Sequence, residues 1–255
     1  MTEKFSVEER FSNIEHNLNV IRENIELAAR KSGRTSGDIK LMAVTKTVEP
    51  IFINHAIDCG IDLIGENKVQ EIMDKYYSIK PVRWHMIGHL QTNKVKYIID
   101  KVDMIHSVDS IKLAGEIDRR AKAVGRTMDI LVQINPAQEE SKFGVSVDQA
   151  GDLVREILEN CENIRIRGLM SVAPIVENMR DVKPYFDAVK AKYDELACIE
   201  HPRLDFRYLS MGMSGDYPVA IEAGSNLVRV GSAIFGERDY AQFRKDQEAK
   251  KNGNA

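Results

Sequence analysis

Leu41 to Lys46 reads LMAVTK, an apolar, partly β-branched run that ends on a lysine. Four apolar residues followed by Thr45 describe a strand buried on both faces, the kind found in parallel sheets. In a closed barrel of alternating strands and helices, the C-terminal strand ends form the rim where chemistry sits, so a lysine there points into a site. Partial removal from water disfavours the ammonium and makes the free amine, the form that attacks an aldehyde, accessible near neutral pH. Lys46 is therefore a Schiff-base candidate. The plainer alternative is a strand-end lysine paired with a carboxylate or reaching to solvent.

Outward from this stretch the pattern repeats. Residues 6–31 open with Ser6 and Glu9, a capping-box signature, and carry Phe11, Ile14, Leu18, Ile21, Ile25 and Ala28 at helical spacing. Further apolar runs fall at 61–64, 82–87, 102–105, 128–134, 164–169, 206–209 and 227–230, which with the first strand makes eight. Helical stretches are expected between them at 49–59, 67–78, 91–100, 109–124, 146–160, 178–198 and 215–223. Strict alternation gives an α/β protein with a parallel sheet and right-handed crossovers. Eight units favour a single (β/α)8 TIM barrel with an additional N-terminal helix, although an open doubly wound sheet would give much the same string. One domain over 1–240 is expected, with a charged tail, 241–255, expected to be disordered.

The net charge of −3 leaves no electrostatic footprint for nucleic acid or an acidic membrane, and no apolar stretch approaches a membrane span. The acidic N-terminus lacks the basic and apolar regions of a signal peptide, so a cytoplasmic location is expected. Cys59, Cys161 and Cys198 are scattered and without CxxC spacing, which points to reduced, mostly buried thiols and no metal. His85 and His89 have i, i+4 spacing, but WHMIGHL reads as strand then turn, where that spacing does not share a face. Trp84 reads as core.

Read only at strand ends, the candidates are Lys46, Gly65-Glu66-Asn67, Gly88-His89, Ser107, Asn135, Met170-Ser171, the segment Ser210 to Ser214, and Gly231-Ser232. The last two groups follow strands 7 and 8, where barrels build phosphate sites from glycines and free helix N–H groups. SMGMSGD and VRVGSAIFG both read as anion nests, though Gly-Ser turns are commonly only turns. Arg229 lies two residues before Gly231 and shares its orientation. Its charge needs an acceptor, which is either a core carboxylate such as Glu66 or a ligand.

Six segments, AVTK, IGENKVQE, WHMIGHLQTNK, SKFG, IRGLMSVAP and LSMGMSGDYPVAIEAGSNLVRVGSAIFG, resemble the pyridoxal 5'-phosphate homeostasis protein family. That family is similar to the N-terminal barrel of alanine racemase, fold type III among pyridoxal-phosphate proteins. The resemblance runs from about residue 40 to 237. It implies that Lys46 matches the lysine that holds the cofactor as an internal aldimine, Asn67 the asparagine beside it, and Arg229 the arginine at the pyridine nitrogen. Ser210, Met213, Gly231 and Ser232 match the region around the phosphate. Lys142 matches a further family lysine to which no role is given. The resemblance implies a role in vitamin B6 homeostasis; with the strand-end lysine, the paired phosphate turns and a missing second domain, a protein that buffers pyridoxal 5'-phosphate or delivers it to apo-enzymes without significant catalysis is expected, and a monomer is expected. A permanently cationic arginine at the pyridine nitrogen weakens the ring as an electron sink. A racemase of this fold also takes a second base from an added C-terminal domain, which is expected to be missing here because the chain ends soon after its last barrel motif. A small amino acid racemase is the alternative, and an aldolase on a phosphorylated sugar a third.

Overall fold

The computed structural model describes residues 5–174, 176 and 179–236. The expected tail, 241–255, lies outside them. Eight strands, β1 (Lys40–Val44), β2 (Leu63–Glu66), β3 (Arg83–Met86), β4 (Met104–Val108), β5 (Met128–Ile134), β6 (Ile164–Ser171), β7 (Leu204–Ser210) and β8 (Leu227–Val230), pair in sequence order. Every pair is parallel, and β8 returns to β1 with Lys40 opposite Leu227 and Met42 opposite Arg229. That last ladder closes the barrel and excludes the open sheet.

The helices are α1 (Val7–Lys31), α2 (Pro50–Asp58), α3 (Val69–Lys75), α4 (Ile111–Ala123), α5 (Ala150–Asn160), α6 (Lys183–Ala197), α7 (Tyr217–Glu222) and α8 (Ser232–Phe235). The expected capping box starts α1: Ser6 Oγ accepts from Glu9 N–H while Glu9 reaches back to Ser6 N–H. Its buried stripe, Ile14, Leu18, Ile21, Ile25 and Ala28, joins the main core between helices and sheet. Proline begins α2, where a missing N–H costs nothing. The helix expected at 91–100 is instead a 3-10 helix, Thr92–Tyr97. Likewise 3-10 turns at Tyr76–Ser78 and Met179–Val182 replace the end of one expected helix and the start of another.

Inside the barrel the side chains form a separate filling. Met42, Leu63 and Leu227 pack on one side and Met104, Leu131 and Met170 on the other, with Tyr208 touching both groups. Strand alternation therefore directs Met42, Leu63, Met104, Leu131, Tyr208 and Leu227 inward, and with them the residues two positions further along and, except on β4 where the register shifts before Val108, four positions further along. Trp84 is buried in the outer core, as expected. The three cysteines are free, but only Cys161 is buried; Cys59 is half-buried and Cys198 exposed.

Candidate functional site

Met42 faces the barrel interior, so Val44 and Lys46 follow it at two-residue steps toward the C-terminal rim. Lys46 itself lies two residues beyond β1 and is half-buried. Among the described residues its amine has no hydrogen-bond or ion-pair partner, which leaves it free for a ligand.

The backbone turn that carries Lys46 is strained and held. Thr47 has φ of 62°, a left-handed conformation that a β-branched residue rarely adopts. Its N–H donates to Glu71 Oε2 at 2.6 Å. Glu71 is in turn held by Lys75 Nζ at 2.7 Å, one turn further along α3. Lys75 uses its other two protons on Glu66 Oε1, at 2.8 Å, and on the Thr45 carbonyl, at 2.9 Å. Thr45 Oγ1 completes the knot 2.8 Å from Glu66 Oε1. All four side chains are buried. Two carboxylates share one ammonium here, and burial pushes the Glu66 carboxyl up from its ordinary value, Lys75 opposing and Glu71 adding to the shift. The knot fixes Thr45 and Thr47, the residues on either side of Lys46.

Glu66 is therefore committed to Lys75, which corrects its assignment as a partner of Arg229. The arginine is buried and bonded to neutral groups: Nη1 donates to the Ser210 carbonyl at 2.7 Å and to Ser210 Oγ at 2.8 Å, and Nη2 to the Ser171 carbonyl at 2.8 Å. Three of its five N–H bonds are thus placed. Burial lowers its pKa to about 10, Asp216 opposing, so the guanidinium stays charged at neutral pH. Ser210 is engaged with this arginine and not with the glycine turns.

Those turns meet through Ser214. Its Oγ accepts from Gly231 N–H at 3.1 Å and from Ala233 N–H at 3.3 Å, which shows two backbone donors converging where an anion oxygen could sit. Gly231 is buried and Ser232, the first residue of α8, is exposed. Gly212 has φ of +89°, and a Cβ there would come within 2.8 Å of Tyr217 Cα, so only glycine lets this loop lie on α7. Met213 is exposed at the rim, and its N–H donates to Asp216, fixing the loop. Sequence reasoning passed over Glu71, Lys75 and the specific role of Ser214. The signals were an i, i+4 Glu-Lys pair after a buried, outward-facing glutamate, and a serine within an already recognised nest.

Asn67 follows β2 and continues the inward face of Leu63 and Gly65. Its Oδ1 is buried without a partner. Ser171 Oγ and Ser107 Oγ are orphaned in the same way. Gly88 permits this approach, because a Cβ there would meet the Asn67 carbonyl oxygen at 2.2 Å. Deeper in the barrel His85 Nδ1 and His106 Nε2 are 2.8 Å apart, and burial holds His85 near 3 and His106 well below its ordinary range. Both are neutral at pH 7. Lys142 is tied to Glu139 and to the Ala173 carbonyl at 3.0 Å, and the neighbouring Phe143 stacks on His89 at 3.6 Å.

The sequence matches the family described as alanine racemase, N-terminal domain, over residues 16–239. The pyridoxal phosphate homeostasis protein of Aquifex aeolicus is 42% identical over 225 residues, covering 88% of this chain and 97% of that protein. The protein of the same name from Escherichia coli K12 is 36% identical over 239 residues, 91% of this chain and 99% of the relative. Among solved structures, an unknown protein from Bifidobacterium adolescentis superposes with a TM-score of 0.83 at 33% identity, covering 92% and 98% of the two chains. PipY of Synechococcus elongatus, solved with PLP bound, gives 0.74 at 30% identity, covering 88% of this chain and 100% of PipY. Alanine racemase from Clostridium difficile, at 17% identity and TM-score 0.67, shares the fold over 57% of its own length. The chain belongs to the pyridoxal phosphate homeostasis protein family.

Proposed function

We propose that this protein binds pyridoxal 5'-phosphate at the C-terminal mouth of the barrel, with Lys46 as covalent anchor, and buffers or delivers it without significant catalysis. The observation that carries the reading is the unpartnered Lys46 amine just beyond β1, beside the strand that presents Arg229 and the Gly231 turn. The residues present fit the group. Asn67 Oδ1, on the inward face, is a buried polar atom without a partner, and the Ser214 hydroxyl marks where two backbone donors converge.

When bound, the cofactor supplies an aldehyde that bonds reversibly to amines, a ring nitrogen and a dianionic phosphate. Lys46 provides the attacking amine, and the Glu66, Glu71 and Lys75 knot fixes where it stands. Arg229 would face the ring nitrogen with a charge it does not give up at neutral pH, so it would donate a hydrogen bond and supply no transferable proton, which favours holding over catalysis. Gly231, Ser232 and the Ala233 N–H would hold the phosphate, with Ser214 turning aside or donating. Met213 borders the mouth, and Ser210 acts through Arg229 as a positioning residue. Among the described residues no helix is long and apolar enough to cross a membrane. A cytosolic monomer serving cofactor-dependent apo-enzymes is the setting we assign.

The test is the absorbance spectrum of the purified protein with pyridoxal 5'-phosphate, before and after borohydride reduction and peptide mapping. A band that reduction shifts, with the adduct on Lys46 and no turnover of amino acids, is expected. A chromophore kept in Lys46→Ala would move the anchor elsewhere, with Lys142 tested next. Steady racemisation of an amino acid, lost in Lys46→Ala, would replace the carrier reading by the racemase.

A further inference from the structure

Away from the barrel mouth, α1 and α2 bring together three side chains of a different kind. His55 and Cys59 lie one turn apart at the end of α2, on one face, and Glu15 reaches them from α1. A ring nitrogen of His55, Cys59 Sγ and a Glu15 carboxylate oxygen all lie within 4.8 Å of one another, the one such cluster of histidine, cysteine and acidic side chains among the described residues. His55 Nε2 is 3.0 Å from Glu15 Oε1. It is shielded from solvent and, apart from this contact with Glu15, has no hydrogen-bond partner. The imidazole plane is fixed by Phe11, which stacks on it at 4.0 Å and 13°, and Phe11 is itself braced edge-on by Phe52.

We infer that Glu15, His55 and Cys59 form a binding site for a borderline-soft divalent cation of the zinc class, with water as fourth ligand. One nitrogen, one sulfur and one carboxylate oxygen are the donor types zinc takes in tetrahedral sites, and the alternative oxygen-preferring cations disfavour thiolate. Charge balances: on binding, Cys59 loses its thiol proton to solvent, and thiolate plus carboxylate neutralise the cation. Arg22 lies beside the cluster and donates from Nη2 to the Cys59 carbonyl at 2.5 Å. The cysteine spacing hides the site, since two ligands share one helix and the third comes from another. A bound ion would pin α1 to the helix that directly follows the Lys46 turn, yet the inference stands apart from the cofactor reading.

The probe is Co2+, whose tetrahedral ligand-field bands lie to the red of pyridoxal absorption, titrated into the protein and then displaced by Zn2+. One equivalent with thiolate charge transfer is expected, with affinity lowered at least about 10-fold in His55→Gln and Cys59→Ser, as in established sites that lose a supporting group. Glu15→Gln, on an exposed position of α1, reads the third ligand even if the other two variants fold poorly, and Cys198→Ser should bind like wild type. Absence of tetrahedral bands in the wild-type protein, or bands unchanged in both Glu15→Gln and Cys59→Ser, would overturn the site.

Discussion

Replacing Lys75 by methionine removes the only cation from the knot behind Lys46 while keeping much of its buried stem. Three hydrogen bonds go at once, to Thr45, Glu66 and Glu71, and two buried carboxylates lose their shared counter-ion. Breaking a buried ion pair from one side costs about 3–5 kcal/mol, a large part of a total stability of ~5–15 kcal/mol. The loss should depend on pH in a stated direction. Glu66 is already raised by burial, so without Lys75 the folded protein holds its protons to higher pH than the unfolded chain does. Unfolded Glu binds fewer protons in that window, so the variant recovers stability as pH falls toward the ordinary carboxylate range. Urea denaturation of wild type and Lys75→Met at pH 7.5 and pH 5.5 measures this. The difference between the two proteins should be about 3 kcal/mol or more at the higher pH and visibly smaller at the lower, while Lys75→Met with Glu66→Gln and Glu71→Gln should recover part of the loss. A difference under about 1 kcal/mol, or one that does not change with pH, would refute the claim that the ammonium holds the turn together.

The His85 and His106 pair gives the opposite slope in the wild-type protein: both are neutral when folded and depressed below the unfolded value, so stability falls as pH drops from about 6.5 toward 3. Each contributes up to about 1.4 kcal/mol per pH unit there, and a variant with both replaced by glutamine should show a shallower acid limb in denaturation midpoints. Gly88→Ala should cost about 1–3 kcal/mol and weaken cofactor retention, because its methyl group meets the Asn67 backbone at 2.2 Å; calorimetry and a retention assay read the two effects. Thr47→Gly relieves a left-handed strain of ~1–3 kcal/mol, partly offset by chain entropy, so equal or greater thermal stability is expected. For Arg229→Gln, a shifted chromophore band and faster loss of pyridoxal 5'-phosphate on dialysis are expected; an unchanged spectrum and retention would remove Arg229 from the ring nitrogen.

The strand LMAVTK was legible because a strand buried on both faces must be continuously apolar, and the lysine that ends it breaks that run at the rim. Closure was not legible, since a barrel and an open sheet share one string and differ only in whether Lys40 finds Leu227. The 3-10 helix at Thr92–Tyr97 was read as a full helix because Val95, Ile98 and Ile99 are spaced as either would space them. Arg229 was recognised as needing an acceptor, but its acceptors are largely main-chain carbonyls of Ser171 and Ser210, atoms that every residue carries and no sequence marks. Ser214 shows the same limit in reverse: its side chain was visible, and the backbone N–H groups it serves were not.

The ladder between β1 and β8 has a consequence for the order of events during synthesis. Lys46 leaves the ribosome about 180 residues before Arg229 and the Gly231 turn, and only barrel closure brings the two ends together. Such long-range pairing comes late and slowly in folding. If Lys46 anchors the ligand as proposed, a nascent chain displays that lysine with no cradle, able to meet aldehydes but not to keep them. Firm retention of the ligand would then report that the last strand has docked, and the colour of the protein would measure completed folding.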